Sequence, residues 1–328
     1  MASLVLSLVD AGFDATILCV SAPPGSLDLL AAMRDAGVGL CHSNEVFLGL
    51  DFDILLDTDG ALLAEYDQPL LGGTVATPNI AKQLTDASAP VVHIAASRLL
   101  ENCALSHGVG QACVSGFLDI TNLQIAGAQI LVLGYEAVGE GVAHYAAAYG
   151  ARVIVCEEDP VRLVKANMDG HSVSSLEAAI PKAAAVFNTR FEGAGLSMAQ
   201  LKRLPSGAFL CSATAHESAL PLARLEALAP GKEVREFVTQ HDLPSGGSVK
   251  LVCGGLALQH DSALGLPLEY ADIMIAAQLH AIMQIAEPEC NLRQGIHPLP
   301  KEVEDALASA FLEGELRSGP SADTSSED

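Results

Sequence analysis

At 328 residues the chain is long enough for two domains with a sizeable core. Half of its residues are apolar and 17% are charged, a balance that belongs to a folded protein and excludes a disordered one. A formal charge of −23 repels nucleic-acid phosphates and anionic membranes, so neither is an expected partner.

In chain order, residues 2–11 predict a helix stopped by Gly12, and residues 15–20 a buried strand. Ser26 is placed to cap a helix that runs through Ala36 and stops at Gly37. Residues 52–56 and 91–94 read as buried strands, the first closed by the turn Asp57-Thr58-Asp59-Gly60. A long helix is expected over 108–122. Strand 129–133 then enters a glycine turn, a helix leaves it toward Tyr149, and strand 152–156 follows. Further strands are expected at 184–188, 208–211 and 249–253. Tyr270, Met274, Ala277, Ala281 and Ile285 share one helical face. From Arg317 onward the small, acidic sequence predicts a disordered tail. Strands alternating with helices imply parallel sheets covered on both faces.

None of the eight cysteines forms a C-x-x-C pair, and several sit in apolar runs. Buried free thiols in a reducing cytoplasm are the expected reading. Residues 1–20 lack a basic stretch and contain Asp10 and Asp14, which argues against a signal peptide, and no apolar run has membrane-spanning length.

The turn after strand 129–133 sits where a dinucleotide site sits, with an acidic residue, Glu157, at the end of the next strand. Gly134 and Gly139 hold the first and third glycine positions of the fingerprint, but Glu136 occupies the second, where a backbone normally approaches a pyrophosphate. Like charges about 4 Å apart repel by about 1 kcal/mol in water and about 4 at an intermediate dielectric. NAD is therefore expected to bind weakly or not at all, with Glu157 left to accept ribose hydroxyls.

Residues 125–160 resemble the motif I-A-G-K-x-x-x-V-x-G-Y-G-D-V-G-K-G-x-A, then G-A-x-V-x-x-x-E-x-D-P, of the adenosylhomocysteinase (S-adenosylhomocysteine hydrolase) family. Gly295-Ile296-His297-Pro298-Leu299-Pro300-Lys301 resembles the family's G-V-H-x-L-P-K, and Gly265-Leu266-Pro267 its G-H-P hinge. Ala36-Gly37-Val38 resembles an A-G-I-P-V segment at the start of the family's substrate domain. The resemblance extends over about 1–312. It implies two Rossmann-like, doubly wound parallel-sheet α/β domains flanking a cleft. A substrate-type domain would comprise 1–107 plus 266–316, an NAD-type domain 108–265, and the tail 317–328. It also implies a homo-oligomer, dimer or tetramer, acting on a small molecule.

The resemblance breaks at the reacting groups. Thr58 stands for the second Asp of D-D-G-G-D. The family's S-E-E-T-T-T-G aligns with Val75-Ala76-Thr77-Pro78-Asn79. Its K-S-K-F-D-N-L-Y-G-C aligns with residues 100–109, so that Leu100, Ala104, Leu105 and Val109 replace Lys, Asp, Asn and Cys. Leu266 replaces the hinge His. The family's early H-M-T has no counterpart, and the acidic tail replaces its C-terminal Lys/Tyr arm.

The remaining polar candidates for chemistry are His107, His93, Cys103 and Thr58, with Thr77 and Asn79 beside them; no metal site is expected. His216 and the segment Gln259-His260-Asp261 are further candidates near the cofactor position. The expectation is a repurposed protein that acts on or binds a small organic molecule, such as a cyclase or isomerase of specialised metabolism. Two other readings stay open: a non-catalytic binding or regulatory subunit, and an NAD-dependent adenosylhomocysteinase with relocated groups.

Overall fold

The computed structural model describes residues 2–19, 27–77, 84, 87–190, 196–213, 220–258 and 265–318. The expected Ser26 cap, Asn79, His216 and Gln259–Asp261 lie outside them. The chain divides into two compact units, residues 1–100 with 271–328, and residues 101–270.

The first unit is built on a four-stranded, all-parallel sheet in the order Gly295–Pro298, Pro90–His93, Gly72–Val75, Ile54–Asp57. Strand Ile54–Asp57 shows why both faces are covered. Leu55 packs with Phe47, Leu63, Tyr66 and Val75 on one side, while Ile54 and Leu56 pack against Leu4, Leu8 and Ile282 on the other. The helices Ala2–Asp10 and Leu268–Ala286 supply that second layer. Of the face expected on the latter helix, Ala277, Ala281 and Ile285 are buried and Tyr270 and Met274 are half-buried. A separate parallel pair joins Thr16–Leu18 to Gly39–Cys41.

Two features of this unit were absent from the pattern of apolar runs. Strand Gly72–Val75 has two glycines where a run should be. A Cβ on Gly72 would lie 2.7 Å from the Pro90 carbonyl oxygen and 2.9 Å from Ile285, so close packing selects glycine there. The last helix, Lys301–Ser318, extends past residue 317, where a disordered tail was expected; residues from 319 lie outside those described. It is anchored by Glu304, whose carboxylate accepts from Ser97 Oγ at 2.9 Å and from the Leu99 amide at 2.6 Å.

The second unit holds an eight-stranded sheet. From one edge it runs Ser172–Val173, Arg152–Cys156, Gln129–Leu133, Ala185–Asn188, Ala208–Ser212, Ser248–Val252, Val238–Asp242, Lys232–Arg235. The first six, in chain order, give the 3-2-1-4-5-6 arrangement of a dinucleotide-binding fold, with its switch point between Gln129–Leu133 and Ala185–Asn188. The final two strands form an antiparallel extension that the sequence reading missed. Strands Gln129–Leu133 and Arg152–Cys156 fall where expected because burial on both faces produces uninterrupted apolar runs. The long helix begins earlier than expected: a π-type segment, Leu100–Val109, leads into the α-helix Gly110–Thr121.

Among the described residues no helix is long and apolar enough to cross a membrane. The eight cysteines carry free thiols.

Candidate functional site

In the first unit, the sequence candidates Thr58, Thr77 and His93 meet at the carboxyl edge of the parallel sheet. Asp57 organises the turn beneath them: one carboxylate oxygen accepts from the Thr58 amide at 2.6 Å and the other from the Leu63 amide at 3.0 Å. The Thr58 carbonyl then accepts from the Ala76 and Thr77 amides, both at 3.0 Å, and from Thr77 Oγ1 at 3.1 Å. His93 Nε2 donates to the Thr77 carbonyl at 2.8 Å, which leaves Nδ1 as the ring's acceptor. Burial lowers the His93 pKa from its ordinary value despite that carbonyl, so the imidazole is neutral at neutral pH. This cluster offers a neutral base and hydroxyl groups. Among the described residues its turn carries the carboxylates of Asp57 and Asp59, both of which accept from backbone amides.

The π-type segment Leu100–Val109, which enters the second unit, sorts its residues by exposure. Four of them are core residues: Leu100 is 2% exposed, Ala104 0%, Leu105 7% and Val109 6%. Cys103 is half-buried, and burial raises its pKa, which keeps the thiol protonated and poorly nucleophilic. His107 is exposed. Its Nδ1 lies 3.3 Å from the Tyr145 hydroxyl, and its ring stands edge-on to His144 at 5.9 Å. Among the described residues no group of three or more His, Cys, Asp or Glu is arranged to hold a metal ion.

The glycine turn is the most fully built site. Gly134 has φ +96°, a left-handed conformation that favours glycine. Gly139 lets the following helix, Ala137–Ala148, close on the strand: a Cβ there would lie 2.3 Å from the Gly134 carbonyl oxygen. Thr189 Oγ1 locks the turn from the neighbouring strand end by donating to the Leu133 carbonyl at 2.8 Å. Glu157, 8% exposed, accepts from the Tyr135 amide at 2.8 Å through one oxygen. Through the other it accepts from the Glu158 and Asp159 amides at 2.5 and 3.1 Å. Glu136 occupies the N-cap position of the helix but makes no side-chain cap. Its carboxylate instead pairs with Arg162 at 2.7 Å.

Arg162 is the residue that sequence reasoning missed. Its guanidinium also lies 3.8 Å from Glu157 and 3.8 Å from Asp159. One turn along the same helix, Pro160–Met168, Lys165 pairs with Glu140 at 2.6 Å and Asp169 at 2.9 Å. Asp169 in turn accepts from the Tyr135 hydroxyl at 2.8 Å. The available signal was spacing: Glu136 and Glu140 are four apart, Arg162 and Lys165 three apart, so both pairs lie on helix faces able to meet as two rungs.

Burial by itself would raise the Glu157 pKa. The amides of Tyr135, Asp159 and Glu158, with Arg162, outweigh it and hold the carboxyl below its ordinary range. A carboxyl whose folded pKa is depressed contributes stability above its unfolded pKa and loses it as pH falls through the folded value. Chemical denaturation at stepwise lower pH is therefore expected to show stability falling from about pH 4.5 downward. Glu157→Gln, tested the same way, should flatten that fall; an unchanged profile would remove Glu157 as its source.

Residues 106–265 match the family described as the S-adenosyl-L-homocysteine hydrolase NAD binding domain. An adenosylhomocysteinase of Thermotoga maritima is 32% identical over 225 residues, covering 68% of this chain and 56% of the relative. One from Archaeoglobus fulgidus is 29% identical over 346 residues, covering 95% and 83%. An S-inosyl-L-homocysteine hydrolase of Methanopyrus kandleri is 27% identical over 209 residues, covering 63% and 49%. The chain is a divergent member of the adenosylhomocysteinase family. It spans about half the length of the first curated relatives that it matches.

Membership of that family raises the question of NAD. Gly134, Gly139 and the Glu157 carboxylate fit the adenosine-ribose end of a dinucleotide. The position that should cradle its pyrophosphate does not fit, because the Glu136 carboxylate and its Arg162 partner stand at the head of the helix.

Proposed function

We propose that this chain binds a small organic molecule on the adenosylhomocysteinase scaffold without running the family's redox hydrolysis. The observation that supports this reading is the burial of Leu100, Ala104, Leu105 and Val109. Where the resemblance places proton carriers, the chain has core side chains, and each lost acid or base typically costs 10²–10⁴ in rate. His93 in the first unit and His107 in the second each remain able to move a proton. An isomerisation or cyclisation needs neither added water nor an external oxidant, and is the class of chemistry that either group could serve.

The test is incubation of the purified chain with S-adenosylhomocysteine and NAD, following adenosine and homocysteine by chromatography. No release above the protein-free blank is expected. Adenosine accumulating with turnover would overturn the proposal and restore the activity for which the relatives are named.

A further inference from the structure

Two residues of the glycine turn reverse the family motif in the same direction. Glu136 stands for its middle glycine and Glu140 for its lysine. Each has a basic partner on helix Pro160–Met168: Arg162 for Glu136 at 2.7 Å, Lys165 for Glu140 at 2.6 Å. Both acids of the turn are thus matched, rung by rung, by bases of the neighbouring helix.

Its electrostatics differ from those of a pyrophosphate cradle. Around the Arg162 guanidinium lie three carboxylates, those of Glu136, Glu157 and Asp159, which leaves one positive against three negative charges. A helix N-terminus contributes only about half a positive charge. A pyrophosphate would bring two more negative charges to this place. A neutral molecule brings none, and acceptors for its donors are present. Glu157 stands half-buried at the strand end, and Asn188, in register with Leu133 just before the turn, has a fully buried Oδ1 with no hydrogen-bond partner.

We infer that this turn selects a phosphate-free diol ligand of the nucleoside class over a dinucleotide, with Glu136 setting the preference and Arg162 holding its carboxylate in place. The inference deepens the proposed function and rests on the same family reading of this turn. It is read by binding alone, so hydrolysis of S-adenosylhomocysteine would sink the earlier proposal without deciding this one.

The experiment is equilibrium titration of the full chain with NAD and, separately, with adenosine. The unmodified protein should retain adenosine and bind NAD more weakly. Glu136→Ala suits the extended backbone at this position (φ −80°) and should strengthen NAD binding about tenfold to a thousandfold while leaving adenosine unchanged. Adding Arg162→Ala to that variant should reverse part of the gain, because it removes the cation that Glu136→Ala leaves without its partner. Thermal unfolding checks that each variant is folded, and Glu136→Gln removes the charge at constant shape if the alanine form is not. NAD binding as tightly as adenosine, or indifferent to Glu136→Ala and Glu136→Gln alike, would overturn the charge preference. Failure of every form to bind adenosine would overturn the ligand class.

Discussion

Gly141→Ala is expected to destabilise the second unit by about 3 kcal/mol or more, at the upper end of the overpacking range. A Cβ on Gly141 would sit 1.7 Å from the Ser106 carbonyl oxygen and 3.1 Å from the Gly110 Cα. Both neighbours are backbone, so no rotamer change relieves the clash. One helix must move, and helix Ala137–Ala148 carries the glycine turn at its head. Urea denaturation measures the loss. Gly314→Ala is the matched control: it lies in helix Lys301–Ser318 with open space around it, and alanine there should add about 0.5–1 kcal/mol through helix propensity. Equal behaviour of the two variants would refute the close helix crossing.

Placing an acid at position 104, where the resemblance to the family puts one, should fail for a related reason. Ala104 is 0% exposed between Leu100 and Leu105, themselves buried. Ala104→Asp places a carboxylate in apolar packing with no built partner, and an uncompensated buried charge costs about 3–5 kcal/mol. For units of this size that corresponds to a melting temperature lower by about 10 °C. Glu101→Asp, three residues earlier on an exposed position, should leave the melting temperature nearly unchanged. Differential scanning calorimetry on both variants decides the matter. If Ala104→Asp melts with the parent, position 104 lines an accessible site, and the reading of a filled reaction centre loses its support.

Much of the second unit was legible in the residues. Ile130–Leu133 and Val153–Cys156 form apolar runs because a central parallel strand is buried on both faces, and Gly134 and Gly150 punctuate them. The acid at the strand end followed from the same pattern. The antiparallel strands Val238–Asp242 and Lys232–Arg235 were not legible, because the edge strand Lys232–Arg235 is exposed throughout and carries no periodic signal.

At the candidate site the division is similar. The chain order of residues was enough to place Gly134, Gly139, Glu136 and Glu157 around one turn, since a strand–turn–helix unit is local and its spacing is fixed by backbone geometry. It also placed Leu100, Ala104, Leu105 and Val109 where the resemblance to the family puts reacting groups. Folding decided the rest. Arg162 is 26 positions from Glu136, and only the packing of two helices on one sheet face brings their charges to 2.7 Å. Thr58, Thr77 and His93 converge because three parallel strands end at the same edge. Local order determines which groups a turn contains. Which charge answers which, and which side chain is sealed in the core, depends on contacts between distant segments that no single stretch of chain records.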